Sequence, residues 1–128
     1  MWIDFERRHG LRAMARDADA RFPSMRDVGL ALRHYEHALA IHEKTLGPDH
    51  PTVAYSLTNI GLVLRNQSKL AESLQYYQRA LAIRERAFGP ENPDVAYNLD
   101  NLGEVQAELG DLAAAIRYQE RALKIREA

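Results

Sequence analysis

His34, His37 and His42 stand close together and are the side chains best suited to metal or acid–base chemistry. His34 and His37 are three residues apart, so on a helix they share a face and could bite one ion. His42 falls off that ladder, and no third histidine or carboxylate stands at a converging spacing, so the three read as surface residues and not as ligands. The 128-residue chain has no cysteine, which removes thiolate ligands and disulfides. Its 18 acidic residues are plentiful, but nothing local desolvates one or sets it beside a base, as a general acid or base would need. Nucleophile motifs and phosphate-cradling glycine loops are missing; Gly47-Pro48 and Gly89-Pro90 are helix stops. The 17 basic residues are scattered among acids without aromatic interleaving, and net charge is −1, which argues against a nucleic-acid partner. No apolar run approaches the ~20 residues of a membrane span, and the mixed charges of residues 1–8 do not form a secretory signal. Catalysis, metal, cofactor and membrane are therefore not expected, and a cytoplasmic location is.

The elements that position these side chains are helices. Val53, Leu57, Ile60 and Leu64 step by four, three and four, and Leu70, Leu74, Tyr77, Leu81 and Phe88 mark a second apolar stripe. The spacing predicts helices at about 26–46, 51–66, 69–88, 93–109 and 111–127. Gly47 and Gly89 stand where a left-handed residue would close a helix. Asn92 is a candidate N-cap with Pro93 in the first helical position, and His50-Pro51 repeats the pattern with a weaker cap. Gly110-Asp111 reads as a stop followed by a start, whereas Ser68-Lys69 lacks the glycine and should turn less rigidly.

The helices recur with a period of 42 residues. Ala38-Leu39-Ala40-Ile41 returns as Ala80-Leu81-Ala82-Ile83 and as Ala122-Leu123-Lys124-Ile125, and residues 53–86 match 95–128 at 16 of 34 positions without a gap. A fixed period of this length marks an array whose units cannot bury their apolar faces alone and must stack. One more step back places Leu11, Ala15, Ala18 and Phe22 on the first stripe, so 11–46 is a worn first repeat, with Asp19 where later repeats carry Gly61 and Gly103, and Pro23 ending the helix early. Trp2, Ile3 and Phe5 lie outside the register; either they cap the worn repeat as a lid or they insert into a neighbouring molecule. The last repeat stops at Ala128 within a helix, which suggests a fragment or a short stand-alone adaptor and leaves that helix uncapped.

Leu57/Leu99, Gly61/Gly103, Ser73/Ala115, Tyr77/Gln119 and Ala80/Ala122 match the consensus spacing of the tetratricopeptide repeat, which this chain resembles strongly over 25–128 and weakly over 11–24. The Ala-Leu-x-Ile-x-Glu segment followed by Leu-Gly-Pro-Asp-His-Pro is similar to the 42-residue variety of kinesin light chain, also found in bacterial signalling proteins joined to an NTPase module. The resemblance implies an all-α, right-handed superhelical stack of three helical hairpins within one domain: 1–10 a lid or tail, 11–46 the degenerate repeat, 53–88 and 95–128 the others. Small residues at 61, 80, 103 and 122 would let the paired helices approach closely. Gln119 and Gln106 depart from the pattern, so the last repeat should pack more loosely or meet another chain.

By the same resemblance, the first helix of each repeat builds a concave groove. Its residues would be Tyr55, Thr58, Asn59, Leu62, Arg65 and Asn66, then Tyr97, Asp100, Asn101, Glu104, Ala107 and Glu108. Tyr55/Asn59 and Tyr97/Asn101 are i,i+4 pairs; the amides could bond a peptide backbone or a neighbouring helix. Asp100, Glu104 and Glu108 form an acidic stripe, with Arg65, Arg12 and Arg16 toward the other end. That stripe is either a solvated face or the seat of a ligand whose basic residues face the third repeat. Thr58, Leu62 and Asp100 take groove positions that would need cations to clamp a terminal carboxylate, so that activity is not expected.

The expected function is a non-catalytic scaffold binding a protein or peptide segment in the groove. The alternative is a self-association module, a homodimer formed through the last helix at Leu112, Ile116, Gln119, Leu123 and Ile125, or by hairpin swapping.

Overall fold

The computed structural model describes residues 25–127, with side chains from 27 onward. The expected N-terminal lid and the helix at 11–22, with Arg12, Arg16, Asp19 and Pro23, lie outside the described residues. Among the described residues five helices follow one another: α1 (Met25–Leu46), α2 (Pro51–Asn66), α3 (Leu70–Phe88), α4 (Pro93–Leu109) and α5 (Leu112–Glu127). Every bound agrees with the periodic reading to within one residue. Internal contacts divide the chain into units 1–31 and 32–128; of the first, only 25–31, the opening of α1, is described.

The helix ends form as local chemistry dictates. Asn92 Oδ1 accepts from the Asp94 amide at 2.9 Å, and His50 Nδ1 accepts from the Thr52 amide at 3.0 Å, each ahead of a proline in the first turn. Asp111 Oδ1 does the same for the Ala114 amide at 3.0 Å, opening α5. Each bond satisfies a donor that the first turn would otherwise leave orphaned. Gly110 closes α4 in the left-handed region, with φ 94°. At the equivalent turn Ser68 adopts φ 64°, among the described residues the only non-glycine with positive φ. The turn still closes, through Ser68 N to Arg65 O and Lys69 N to Leu64 O, so the missing glycine shows as backbone strain. A β-carbon in this region costs about 1–2 kcal/mol. Ser68→Gly is accordingly expected to raise unfolding free energy by about 1 kcal/mol. A denaturant midpoint that stays put would show that the turn carries no such strain.

Within the second unit, α2 packs on α3, α3 on α4, and α4 on α5. Turns of two or three residues join α2 to α3 and α4 to α5, making each pair a helical hairpin. Val53, Leu57, Ile60 and Leu64 are all buried, as their spacing requires. Val53, Ala54 and Leu57 meet Ala80 and Ile83, with Leu39 of α1 packed alongside. A second cluster gathers Tyr77 and Leu81 of α3, Val95, Ala96, Leu99, Leu102 and Val105 of α4, and Ala122 of α5. Fully burying each larger aliphatic side chain contributes about 1.5–3 kcal/mol. Phe88 departs from the expected stripe: it is 43% exposed. It is the final residue of α3. Among the described residues no helix is long and apolar enough to cross a membrane.

Candidate functional site

Packing consumes one face of α2 and of α4 and leaves the opposite face to be accounted for. On that face Tyr55 is 62% exposed, Tyr97 51% and Leu62 41%. Tyr55 and Tyr97 are equivalent residues 42 apart, and Tyr55 and Leu62 are i,i+7 on one side of α2. Asn66 is exposed and Asn59 half-buried; Asn101 is buried on the corresponding face of α4. Neither Asn59 nor Asn101 forms a side-chain hydrogen bond among the described residues, so their amides are not committed to a neighbouring helix.

Thr58 is in a different position. It is buried; its hydroxyl donates to Ala54 O at 2.9 Å and accepts from Asn98 Nδ2 at 3.3 Å. The other side of the same amide, Asn98 Oδ1, accepts from Arg84 at 2.6 Å. A relay of polar groups thus ties α2 to α4 and α4 to α3. Every member that is buried has a partner, the condition under which a buried polar group is tolerated. Thr58 is held in this relay and is not presented to solvent. Burial pulls the Arg84 guanidinium below its usual value, with the nearby Asp94 charge opposing the shift.

The acidic stripe is also engaged within the chain. Arg65 donates from Nε to Glu108 and from Nη1 to Glu104, both at 2.8 Å. Those two carboxylates raise the Arg65 value, the Glu108 bond most, against partial burial. Arg126 pairs with Asp100. All three acids of the stripe therefore already face cations, Glu104 and Glu108 through Arg65 of α2 and Asp100 through Arg126 of α5. These pairs lie at the surface and are open to competition from solvent and ions.

Sequence reasoning missed the polar contacts between repeats. Glu43 pairs with Arg79, and Glu85 with Arg121. The two pairs are equivalent under the 42-residue shift, so the signal was present: both partners recur together. His42 Nδ1 lies 3.4 Å from the Ser56 hydroxyl, at the positions equivalent to Arg84 and Asn98. His42 thus turns toward α2. Among the described residues no three His, Asp or Glu side chains are grouped to hold a metal.

On α5, Leu112 is 63% exposed and Ile116 and Leu123 are each 55% exposed; Gln119 is exposed too. Ile125, read from sequence as part of the same face, instead packs partly buried against the core. Helix phase explains the difference, because Tyr118, Ala122 and Ile125 share the inward side. Gln119 keeps part of the role of Tyr77: its Cγ lies over Gly103, as the Tyr77 ring lies over Gly61.

A family model described as tetratricopeptide repeat matches residues 24–67 and 52–128. No curated protein matches the chain.

Proposed function

We propose a scaffold function on one premise: the chain belongs to the tetratricopeptide repeat family. Such repeats generally mediate protein–protein interaction and are typically non-catalytic. In our reading the hairpins continue as a right-handed superhelical stack of three repeats. A peptide segment then lies along Tyr55, Asn59, Leu62, Asn66, Tyr97 and Asn101. The observation that carries this is the exposure of Tyr55, Leu62 and Tyr97 on helices whose other large apolar residues, the terminal Leu109 apart, are buried. Tyrosine supplies flat apolar area with a polar tip at low entropic cost, and the asparagines supply paired donors and acceptors for a peptide backbone.

Basic ligand residues would have to displace Arg65 and Arg126 to reach Glu104, Glu108 and Asp100. Recognition is therefore placed on the aromatic and amide groups. Thr58 and Arg65 support the wall rather than touch the ligand. The 42-residue period with Gly-Pro stops supports the kinesin-light-chain-like variety, of the kind joined to NTPase modules, and the absence of cysteine supports a cytoplasmic setting.

The test is selection of peptides from a displayed random library on the intact chain, followed by fluorescence anisotropy. Tyr55→Ala and Tyr97→Ala are expected to weaken the selected peptides about tenfold or more each, since interface tyrosines are frequent hot spots. Unaltered affinity in both variants would remove the groove from consideration.

A second reading rests on Leu112, Ile116 and Leu123, whose exposure on α5 would suit pairing with another copy. It predicts a molar mass by light scattering that rises with concentration from 14.6 kDa. A constant mass over a hundredfold dilution range would end it.

A further inference from the structure

The 42-residue period sets α5 against α3, and part of α5 is left unused. On α3, Leu70, Leu74, Tyr77 and Leu81 pack in the cluster shared with α4 and α5. Their equivalents on α5 are Leu112, Ile116, Gln119 and Leu123, and all four are exposed. Three of them keep an aliphatic side chain in the register by which α3 holds the following hairpin. The charged contacts between repeats run the same way. Glu43 of α1 pairs with Arg79 of α3, and Glu85 of α3 pairs with Arg121 of α5. In both pairs the arginine comes from the second helix of the following hairpin. The next acid in the series is Glu127 of α5, which is exposed and forms no ion pair among the described residues.

We propose that the outer face of α5 receives a helical hairpin of a partner protein, whose first helix lies on Leu112, Ile116 and Leu123 and whose second helix brings an arginine to Glu127. This rests on the reading of α5 as an interface and names the chemistry of its occupant. The first helix of that hairpin needs branched and small apolar residues at helical spacing, as Val95, Ala96, Leu99 and Leu102 supply on α4. The arginine must come from a second helix, as it does in the two pairs already formed, so a lone helix or an extended peptide meets only half of the requirement. Gln119 stands where α3 has Tyr77, so α5 offers less apolar area than α3 offers α4. Docking should accordingly be weaker than the internal contact.

The probe is a synthetic polypeptide with the sequence of residues 89–128, the hairpin that fits the equivalent face of α3, titrated into the intact chain and read by anisotropy. Saturable binding is expected. Leu123→Glu in the intact chain should weaken it about tenfold or more. Glu127→Arg should weaken it too, and Arg121→Glu in the probe should restore the loss, which a nonspecific apolar contact would not do. A second arm removes dependence on the probe folding alone: residues 87–128 are appended after Ala128. The extended chain should unfold in one transition at a higher denaturant midpoint than the parent, and Leu123→Glu should cancel the gain. Failure of both arms overturns the proposal, as does binding that Leu123→Glu leaves unchanged. Unaltered affinity in Glu127→Arg also overturns it, because the apolar seat alone would take a single helix. If both arms fail while the molar mass of the chain by itself rises with concentration, α5 remains an interface and its occupant is a second copy. If both fail and the mass is constant, the interface reading of α5 falls as well.

Discussion

Tyr77→Ala is expected to cost about 3–5 kcal/mol of unfolding free energy, the usual loss on truncating a fully buried aromatic side chain. Tyr77 is the largest fully buried side chain among the described residues and belongs to the cluster that joins α3, α4 and α5. Tyr77→Phe should behave in the opposite way. The Tyr77 hydroxyl is buried without a hydrogen-bond partner. Deleting it relieves a desolvation penalty of about 1–3 kcal/mol, so the variant should match or exceed the parent in stability. Alkaline pH sharpens the comparison. Burial pushes the Tyr77 phenol up to about 12, against an ordinary value of 10.0. Below pH ~10 the group is protonated in both states and its contribution is fully present. Between pH ~10 and ~12 the unfolded chain releases the proton first, so this contribution, of order 2–3 kcal/mol, is lost as pH rises. Urea midpoints at pH 8 and pH 11 should therefore fall further in the parent than in Tyr77→Phe. Equal falls would mean that the phenol titrates as if exposed.

The second large effect lies beneath the same ring. A β-carbon added at Gly61 would meet Tyr77 Cδ1 and Cε1 at 2.7 Å, a distance that forces movement. The ring is enclosed on all sides and cannot swing away. Gly61→Ala is therefore expected to cost about 1–3 kcal/mol in overpacking, only partly offset by the ~1 kcal/mol that alanine gains as a helix former. Gly103→Ala is the internal control. There the nearest atom is Gln119 Cγ at 2.9 Å, on an exposed, flexible side chain, with Ala115 O at 3.3 Å. Gln119 can rotate out, so the two terms nearly cancel and Gly103→Ala should sit within about 1 kcal/mol of the parent. Thermal or denaturant unfolding of the two variants side by side measures the difference. Equal costs would show that the Tyr77 ring is free to give way. In a Tyr77→Leu background the Gly61→Ala penalty should shrink, since the aromatic edge that it strikes is gone.

Both effects follow from residues whose roles were legible before any coordinates. Gly61 and Gly103 were read as small for close approach, and Tyr77 as a core aromatic with Gln119 as its weaker counterpart. The grounds were helical spacing together with the resemblance to the tetratricopeptide repeat consensus. The unequal consequences of the two glycines, by contrast, depend on what can move, and that depends on enclosure by a third helix.

Reading along the chain is enough for the helices, their ends, the repeat length and most of the buried stripes. These are local or periodic properties: Asn92 before Pro93, Gly110 after Leu109, and apolar residues three and four apart each act within one turn of chain. Which polar residues of the groove helices are free depends instead on contacts between distant segments. Thr58 finds Asn98 40 residues away, Arg65 finds Glu104 and Glu108 at 39 and 43, and Asp100 finds Arg126 at 26. The exposure of Phe88 and the inward turn of Ile125 were settled in the same way. A period states which face a residue occupies. Its partner depends on the offset and rotation between packed helices, which side-chain volumes across the interface fix and which no single stretch of chain encodes.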